Sequence, residues 1–213
     1  MNGAHATPRG DESEGGRWGA FDGQVLAAWQ DDGRTMTLLE PFAYVDPAGV
    51  RWEAAEGSDV NGASIPRAFW SVIGGPFAGR FRNASVVHDV ACVEQTADWR
   101  DVHWMFYEAC RCGGVAATKA KLMYYAVAHF GPRWEIETTL LVRDGHEERV
   151  VRSRDTTPPP PTEADVAAAV AYFASHDPAA AAIASGRLPL TRDAEKRSAS
   201  AALFAQPRRP AAR

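Results

Sequence analysis

Polar and apolar positions change rhythm twice along this chain of 213 residues. Residues 1–16 mix Gly, Ser, Asp and Glu with almost no apolar side chains, which predicts a disordered tail. Short alternating runs follow. Arg34-Thr-Met-Thr-Leu-Leu-Glu40 and Phe42-Ala-Tyr-Val45 are strand-like and are separated by Pro41. Val50-Arg-Trp-Glu-Ala54 alternates again after the turn signal Asp46-Pro-Ala-Gly49, so strand, four-residue turn and strand predict a hairpin. Trp18 to Trp29 adds one or two further strands.

From Gly62 the period lengthens. Ser64 before Ile65-Pro66-Arg67 predicts an N-capped short helix to about Ile73, stopped by Gly74-Gly75-Pro76. Three longer helices are predicted after it. The first runs from about Gly79 to Glu94, with Ala84, Val87, His88 and Ala91 on one stripe. The second runs from Asp98 to Cys112, with Val102, Met105, Phe106 and Ala109 on its stripe, closed by Gly113-Gly114. The third runs from Ala116 to Phe130, with Leu122, Tyr125 and Ala126 spaced for burial, stopped by Gly131-Pro132. Trp134 to Val142 reads as a return strand, and Arg143 to Arg154 is charged and ambiguous. Thr156-Thr-Pro-Pro-Pro-Pro-Thr162 favours a stiff polyproline segment. An Ala-rich helix capped by Thr162 is predicted over about 163–176, with Val166, Val170 and Phe173 on one face. The rest, to Arg213, is expected to be largely disordered.

These elements give an α+β class: a small antiparallel β-sheet, then a helical hairpin and a further helix, with a mostly helical or disordered C-terminal appendage. The boundaries are a tail over 1–16, a folded domain over 17–145, a Pro-rich linker over 146–162 and the appendage over 163–213. Composition agrees with a globular chain, at 46% hydrophobic and 23% charged residues. The net charge of −4 and the scattered Arg and Lys exclude an obvious nucleic-acid surface. No apolar run approaches the roughly 20 residues of a membrane span, and the polar N-terminus shows no signal peptide. Three cysteines at no framework spacing point to free thiols and a reducing, cytoplasmic setting.

The candidate chemistry lies on the predicted helical hairpin. His88 sits on an apolar stripe, where a buried imidazole needs a hydrogen-bond partner. Asp89 is turned about 100° from it, so the two are expected to share the rim of a cleft rather than both point into the core. The short connection after Glu94 makes the two helices antiparallel, which brings His103 to a height similar to that of His88.

Asn61-Gly-Ala-Ser-Ile-Pro66, Phe69-Trp70, Val87-His88-Asp89, Val102-His103-x-x-Phe106-Tyr-Glu-Ala109 and Leu122-Met-Tyr-Tyr-Ala126 together resemble the DUF1353 family. This is a domain of unknown function found in bacteria and their phages. The resemblance covers roughly residues 34–135. The usual pattern of the family has Asp where this chain has Asn61, and Asp where it has His103; Asp101 stands two residues before the latter. The resemblance implies a fold and a site centred on His88 and Asp89, and no established activity.

Three readings of that site stand side by side. In the first, His88 activates a water and Asp101 orients it. A His-Asp helix facing an Asp-bearing helix resembles the phospholipase A2 arrangement, although the calcium loop and disulfides of those enzymes are absent here. In the second, His88, His103 and Asp89 or Asp101 hold a divalent transition metal. Cys92, at i+4 from His88, is placed to join them. In the third, His88 and Asp89 stitch the helices to the hairpin by buried hydrogen bonds. Ser64 as a nucleophile beside His88 is set against its reading as a plain N-cap.

The function expected on these grounds is a DUF1353-like hydrolase with a His-Asp site formed by His88, Asp89 and Asp101. Phage-encoded relatives suit an envelope component as substrate. The alternative is a non-catalytic module of phage or prophage origin, either structural or binding a host protein, with the C-terminal helix as a docking face.

Overall fold

The computed structural model describes residues 16–62, 64–143 and 146–190. The two segments expected to be tails, through residue 15 and from 191 onward, lie outside the described residues.

Six short strands come first: β1 (Ala20–Asp22), β2 (Ala27–Trp29), β3 (Met36–Leu38), β4 (Phe42–Val45), β5 (Arg51–Ala54) and β6 (Asp59–Val60). They form two antiparallel three-stranded sheets, ordered β1-β4-β5 and β2-β3-β6, where the sequence predicts one. Pro41 explains the split. It has no N–H to continue a ladder, so the chain leaves the second sheet after β3 and starts β4 in the first. The predicted hairpin is β4–β5, with Tyr44 opposite Trp52. Asp46 closes its turn, its Oδ1 accepting from the backbone N–H groups of Ala48 and Val50 at 2.9 Å each. β4 is buried over its first three residues. Its Tyr44 is fully covered and satisfies its hydroxyl by donating to the Trp18 carbonyl at 2.6 Å.

The helices are α1 (Trp70–Ile73), α2 (Arg82–Glu94), α3 (Trp99–Cys112) and α4 (Ala117–Phe130). All four fall where the apolar period places them. α2 ends at Gln95, which adopts a left-handed conformation with φ 53° and donates its N–H to Ala91. Asp98 then caps α3 by accepting from the Arg100 N–H at 2.8 Å. So tight a turn makes α2 and α3 antiparallel neighbours. The Trp134 indole N–H, donated to the Ala97 carbonyl at 2.9 Å, pins this turn to the chain beyond α4.

α2 is enclosed on more than one side, by β4, β5 and β6 and by α3. Every residue from Ala84 to Val90 is therefore buried, not one stripe alone. This enclosure sets the site.

Beyond α4, β7 (Trp134–Arg143) pairs with β8 (His146–Asp155) in a two-stranded ribbon and does not return to either sheet. The charged stretch that read as ambiguous is thus a strand, and the Pro-rich segment begins at Thr156 rather than at 146. α5 (Glu163–Ser175) carries the predicted cap, a reciprocal box between Thr162 and Asp165. Its Val166, Ala169 and Phe173 pack on the domain itself, Phe173 meeting Tyr125 of α4 at 5.7 Å between ring centroids. The face expected to dock a partner is thereby occupied within the chain. A further short helix, α6 (Ala180–Ala184), follows, and Ile183 and Leu188 join the same core. Residues 176–190, expected to lack order, are part of the folded body.

Candidate functional site

The loop between β6 and α1 dips into the centre of the molecule. Gly62 makes this entry possible. Its backbone is left-handed (φ +69°), and a Cβ there would fall 2.1 Å from Pro76 Cγ. The turn aims its backbone N–H groups at Asp89 of α2. Asn61 donates to Oδ2 at 2.8 Å, Gly62 donates to the same oxygen, and Ser64 donates to Oδ1 at 3.3 Å. The Ser64 hydroxyl also lies in hydrogen-bond contact with Oδ1. A carboxylate that gathers three main-chain donors fixes the loop far more strongly than one neutral pair would.

Ser64 does not cap the short helix. The helix begins with a tight turn at Arg67–Phe69 after Pro66, and no side chain caps it. The hydroxyl instead faces Asp89 and His88, because an ionised acceptor outcompetes an exposed helix terminus.

His88, one residue before Asp89, faces α3. Its Nδ1 lies 3.0 Å from Ser64 Oγ, and its Nε2 lies 2.8 Å from Nδ1 of His103. His103 in turn donates its Nε2–H to the Pro132 carbonyl at 2.9 Å. A continuous polar chain results: Asp89, Ser64, His88, His103, Pro132. Phe106 covers the His88 ring at 4.5 Å between centroids, and Trp99 lies 5.6 Å from the ring of His103. Cys92 Sγ approaches the same Nε2 of His88 at 3.7 Å.

All of these groups are buried: His88 is 0% exposed, His103 1%, and Ser64 and Asp89 5% each. The expectation that His88 and Asp89 share the rim of a cleft is therefore corrected. Enclosure of α2 lets both residues point into protein despite the 100° between them. Asp101 is exposed, and it is Ser64 and His103 that meet the ring nitrogens of His88. Asp101 instead shares with His103, Trp99, Trp104 and Tyr124 the lining of a cleft of about 490 Å³.

Burial governs the protonation of this cluster. It pulls His88 well below the ordinary histidine range, with His103 adding to the effect. It pulls His103 down to about 3, with Arg133 and His129 contributing in the same direction. It pushes the Cys92 thiol well up, helped by the negative charge of Asp89. Both imidazoles are thus neutral at pH 7, which leaves each one ring nitrogen with a free lone pair in principle.

Among the described residues, the metal-ligating atoms that gather are those of His88, Cys92 and His103, all within 4.8 Å of one another. Asp89, expected among the ligands, spends its oxygens on the loop backbone, and Cys92 stands in the place it was expected to fill. The signal for Cys92 was its i+4 spacing from His88. The participation of Ser64 in the polar chain had no local signal, since its partners lie 24 and 25 residues away.

Residues 36–127 match the family model described as "Protein of unknown function (DUF1353)". An uncharacterised protein of Sinorhizobium fredii, y4jT, is 46% identical over 104 residues, which are 49% of this chain and 31% of that protein. A second uncharacterised protein of the same organism, y4iH, is 38% identical over 97 residues, or 46% of this chain and 41% of that protein. The chain thus spans well under half the length of either relative. No solved structure matches.

Proposed function

Residues 36–127 of this chain being a DUF1353 domain, we propose that the domain is a hydrolase whose centre is the His88–His103 pair. The observation that carries this reading is the position of His103. It is the last imidazole of the buried polar chain, and it also lines the cleft of about 490 Å³. That volume is in the range that holds a small molecule.

Each residue has a separate role in this reading. His88 and His103 are the groups at which a water is activated for attack on a substrate held in the cleft. Ser64 and Asp89 are positioning residues, since they hold the outer nitrogen of His88 in place. The Pro132 carbonyl does the same for His103. Asp101, exposed on the same cleft, meets substrate rather than His88. Trp99, Trp104 and Tyr124 supply apolar walls. An envelope lipid or peptide-like component would suit such walls.

The burial of His88 favours a second reading, a non-catalytic module in which the same network only holds the fold together. A panel of chromogenic carboxylic esters, phosphomonoesters, phosphodiesters and anilides separates the two. The hydrolase reading expects turnover of at least one class, reduced about 100-fold or more in His103→Ala. Circular dichroism checks that the variant is folded. Wild-type rates in a folded His103→Ala, or no turnover across the panel, would favour the non-catalytic reading.

A further inference from the structure

Following the protons along the buried chain exposes a deficit. Pro132 offers only a carbonyl, so the hydrogen on His103 sits on Nε2, and Nδ1 carries a lone pair. At the other end, Asp89 collects three backbone N–H groups and acts as an acceptor. The single hydroxyl proton of Ser64 is therefore directed to Asp89. The oxygen of Ser64 then accepts from Nδ1–H of His88, which leaves Nε2 of His88 with a lone pair. Two lone pairs now face each other at 2.8 Å between buried rings. The four contacts of the chain are served by three protons, and a positive centre is missing between the imidazoles.

A third donor atom points to the same spot. Cys92 Sγ lies 3.7 Å from Nε2 of His88 and within 4.8 Å of Nδ1 of His103. A shared proton needs two atoms, whereas three converging donors make a coordination shell.

We propose that His88 Nε2, His103 Nδ1 and Cys92 Sγ bind one zinc-type transition-metal ion between α2 and α3. Two imidazoles and a thiolate are borderline ligands of the kind zinc prefers. Tetrahedral zinc with bonds of roughly 2.0 Å to nitrogen and 2.3 Å to sulfur separates two nitrogens by about 3.3 Å, and nitrogen from sulfur by about 3.6 Å. The sulfur is already at that spacing from Nε2 of His88 and has to close on Nδ1 of His103, and the imidazoles need to part by about half an ångström. On binding, the Cys92 thiol releases its proton to solvent and coordinates as thiolate. The two negative charges, on Cys92 and Asp89, then balance the dication. The hydrogen bonds from His88 to Ser64 and from His103 to Pro132 fix both ring orientations, as the outer partners of zinc-bound histidines do elsewhere. Three protein ligands leave a fourth position for water, the arrangement of catalytic rather than closed structural zinc sites.

This inference rests on the reading of the His88–His103 pair as the working centre, and one experiment tells their failures apart. The full chain is stripped with chelator, reloaded with zinc, desalted and analysed by elemental mass spectrometry beside the hydrolysis panel. The expected content is about one zinc per chain, falling to near zero in His103→Ala and Cys92→Ser. Cys112→Ser, at a half-buried thiol outside the cluster, should keep its zinc. Cobalt loading guards against variants that fail to fold. The wild-type chain should show a thiolate-to-cobalt charge-transfer band and tetrahedral d–d absorption. A wild-type chain that takes up no zinc and gives no cobalt spectrum overturns the site, as does full zinc retention in Cys92→Ser. Zinc bound without any hydrolysis keeps the site and removes the hydrolase. Hydrolysis without zinc does the reverse.

Discussion

Asp89→Ala should destabilise the domain by about 4 kcal/mol, enough to leave it marginally folded. The carboxylate accepts from the backbone N–H groups of Asn61, Gly62 and Ser64, and the substitution takes that shared acceptor away. Each buried donor left without a partner costs about 1–3 kcal/mol, partly relieved if the loop opens to water. The substitution also frees Ser64, so that His88 loses its anchor at Nδ1. Asp89→Asn keeps one acceptor oxygen and turns an amide NH₂ towards the remaining donors, so it should lose at least half as much. Urea unfolding followed by tryptophan fluorescence measures both. A loss under about 1 kcal/mol for Asp89→Ala would mean that the loop is held by something other than this carboxylate.

Acid should weaken the fold by a similar amount. Burial pulls His103 down to about 3 and His129 down to about 4. In the unfolded chain both titrate near 6.5. As the pH falls below that value, the unfolded chain takes up protons that the folded chain refuses, so stability falls with pH. Between pH 7 and pH 5 each of these two groups contributes a loss of about 2 kcal/mol, or about 4 kcal/mol together, and His88, pulled well down by burial, adds to the loss in the same direction. The loss continues until His129 protonates near pH 4 and His103 near pH 3 in the folded state. Arg133 faces both imidazoles and lowers both, while Asp98 and the Pro132 carbonyl pull His103 the other way and the Ile183 backbone does so for His129. A metal ion on His103 leaves the sign unchanged, because protons then compete with the ion for the same nitrogen. Urea unfolding at pH 7 and pH 5 tests this. His129→Gln should remove its own share, about 2 kcal/mol, of the pH dependence, whereas equal stability at the two pH values would contradict the neutral burial of these residues.

Much of the scaffold was legible in the sequence because its punctuation is local. Gly74-Gly75-Pro76, Gly113-Gly114 and Gly131-Pro132 mark helix ends by backbone conformation alone, and the helices fall between them. Asp46-Pro-Ala-Gly49 did the same for the β4–β5 hairpin. The antiparallel pairing of α2 and α3, and with it the approach of His103 to His88, followed from the short turn after Glu94. The ribbon β7–β8 was harder. Its second strand is charged along its length and pairs only with its neighbour, so it shows no apolar alternation.

The site was half legible. His88, Cys92 and His103 could be placed by helical spacing. Ser64 was open to two readings, beside His88 or as a cap, and the local pattern favoured the cap; its partners are set by a loop that folds back through Gly62. The role of Asp89 was misplaced for a related reason. Helical periodicity puts it at a rim, and only the enclosure of α2 by β-strands on one side and α3 on the other buries it.

In the proposed site the two imidazoles present bare nitrogens to a common ion. Long-range ¹H–¹⁵N correlation spectroscopy of the zinc-loaded chain reads this directly. His88 should be protonated at Nδ1 and His103 at Nε2, with the two remaining nitrogens shifted by metal coordination and restored when zinc is chelated. A proton on Nε2 of His88 in the zinc-treated protein, donated to an unshifted Nδ1 of His103, would contradict it.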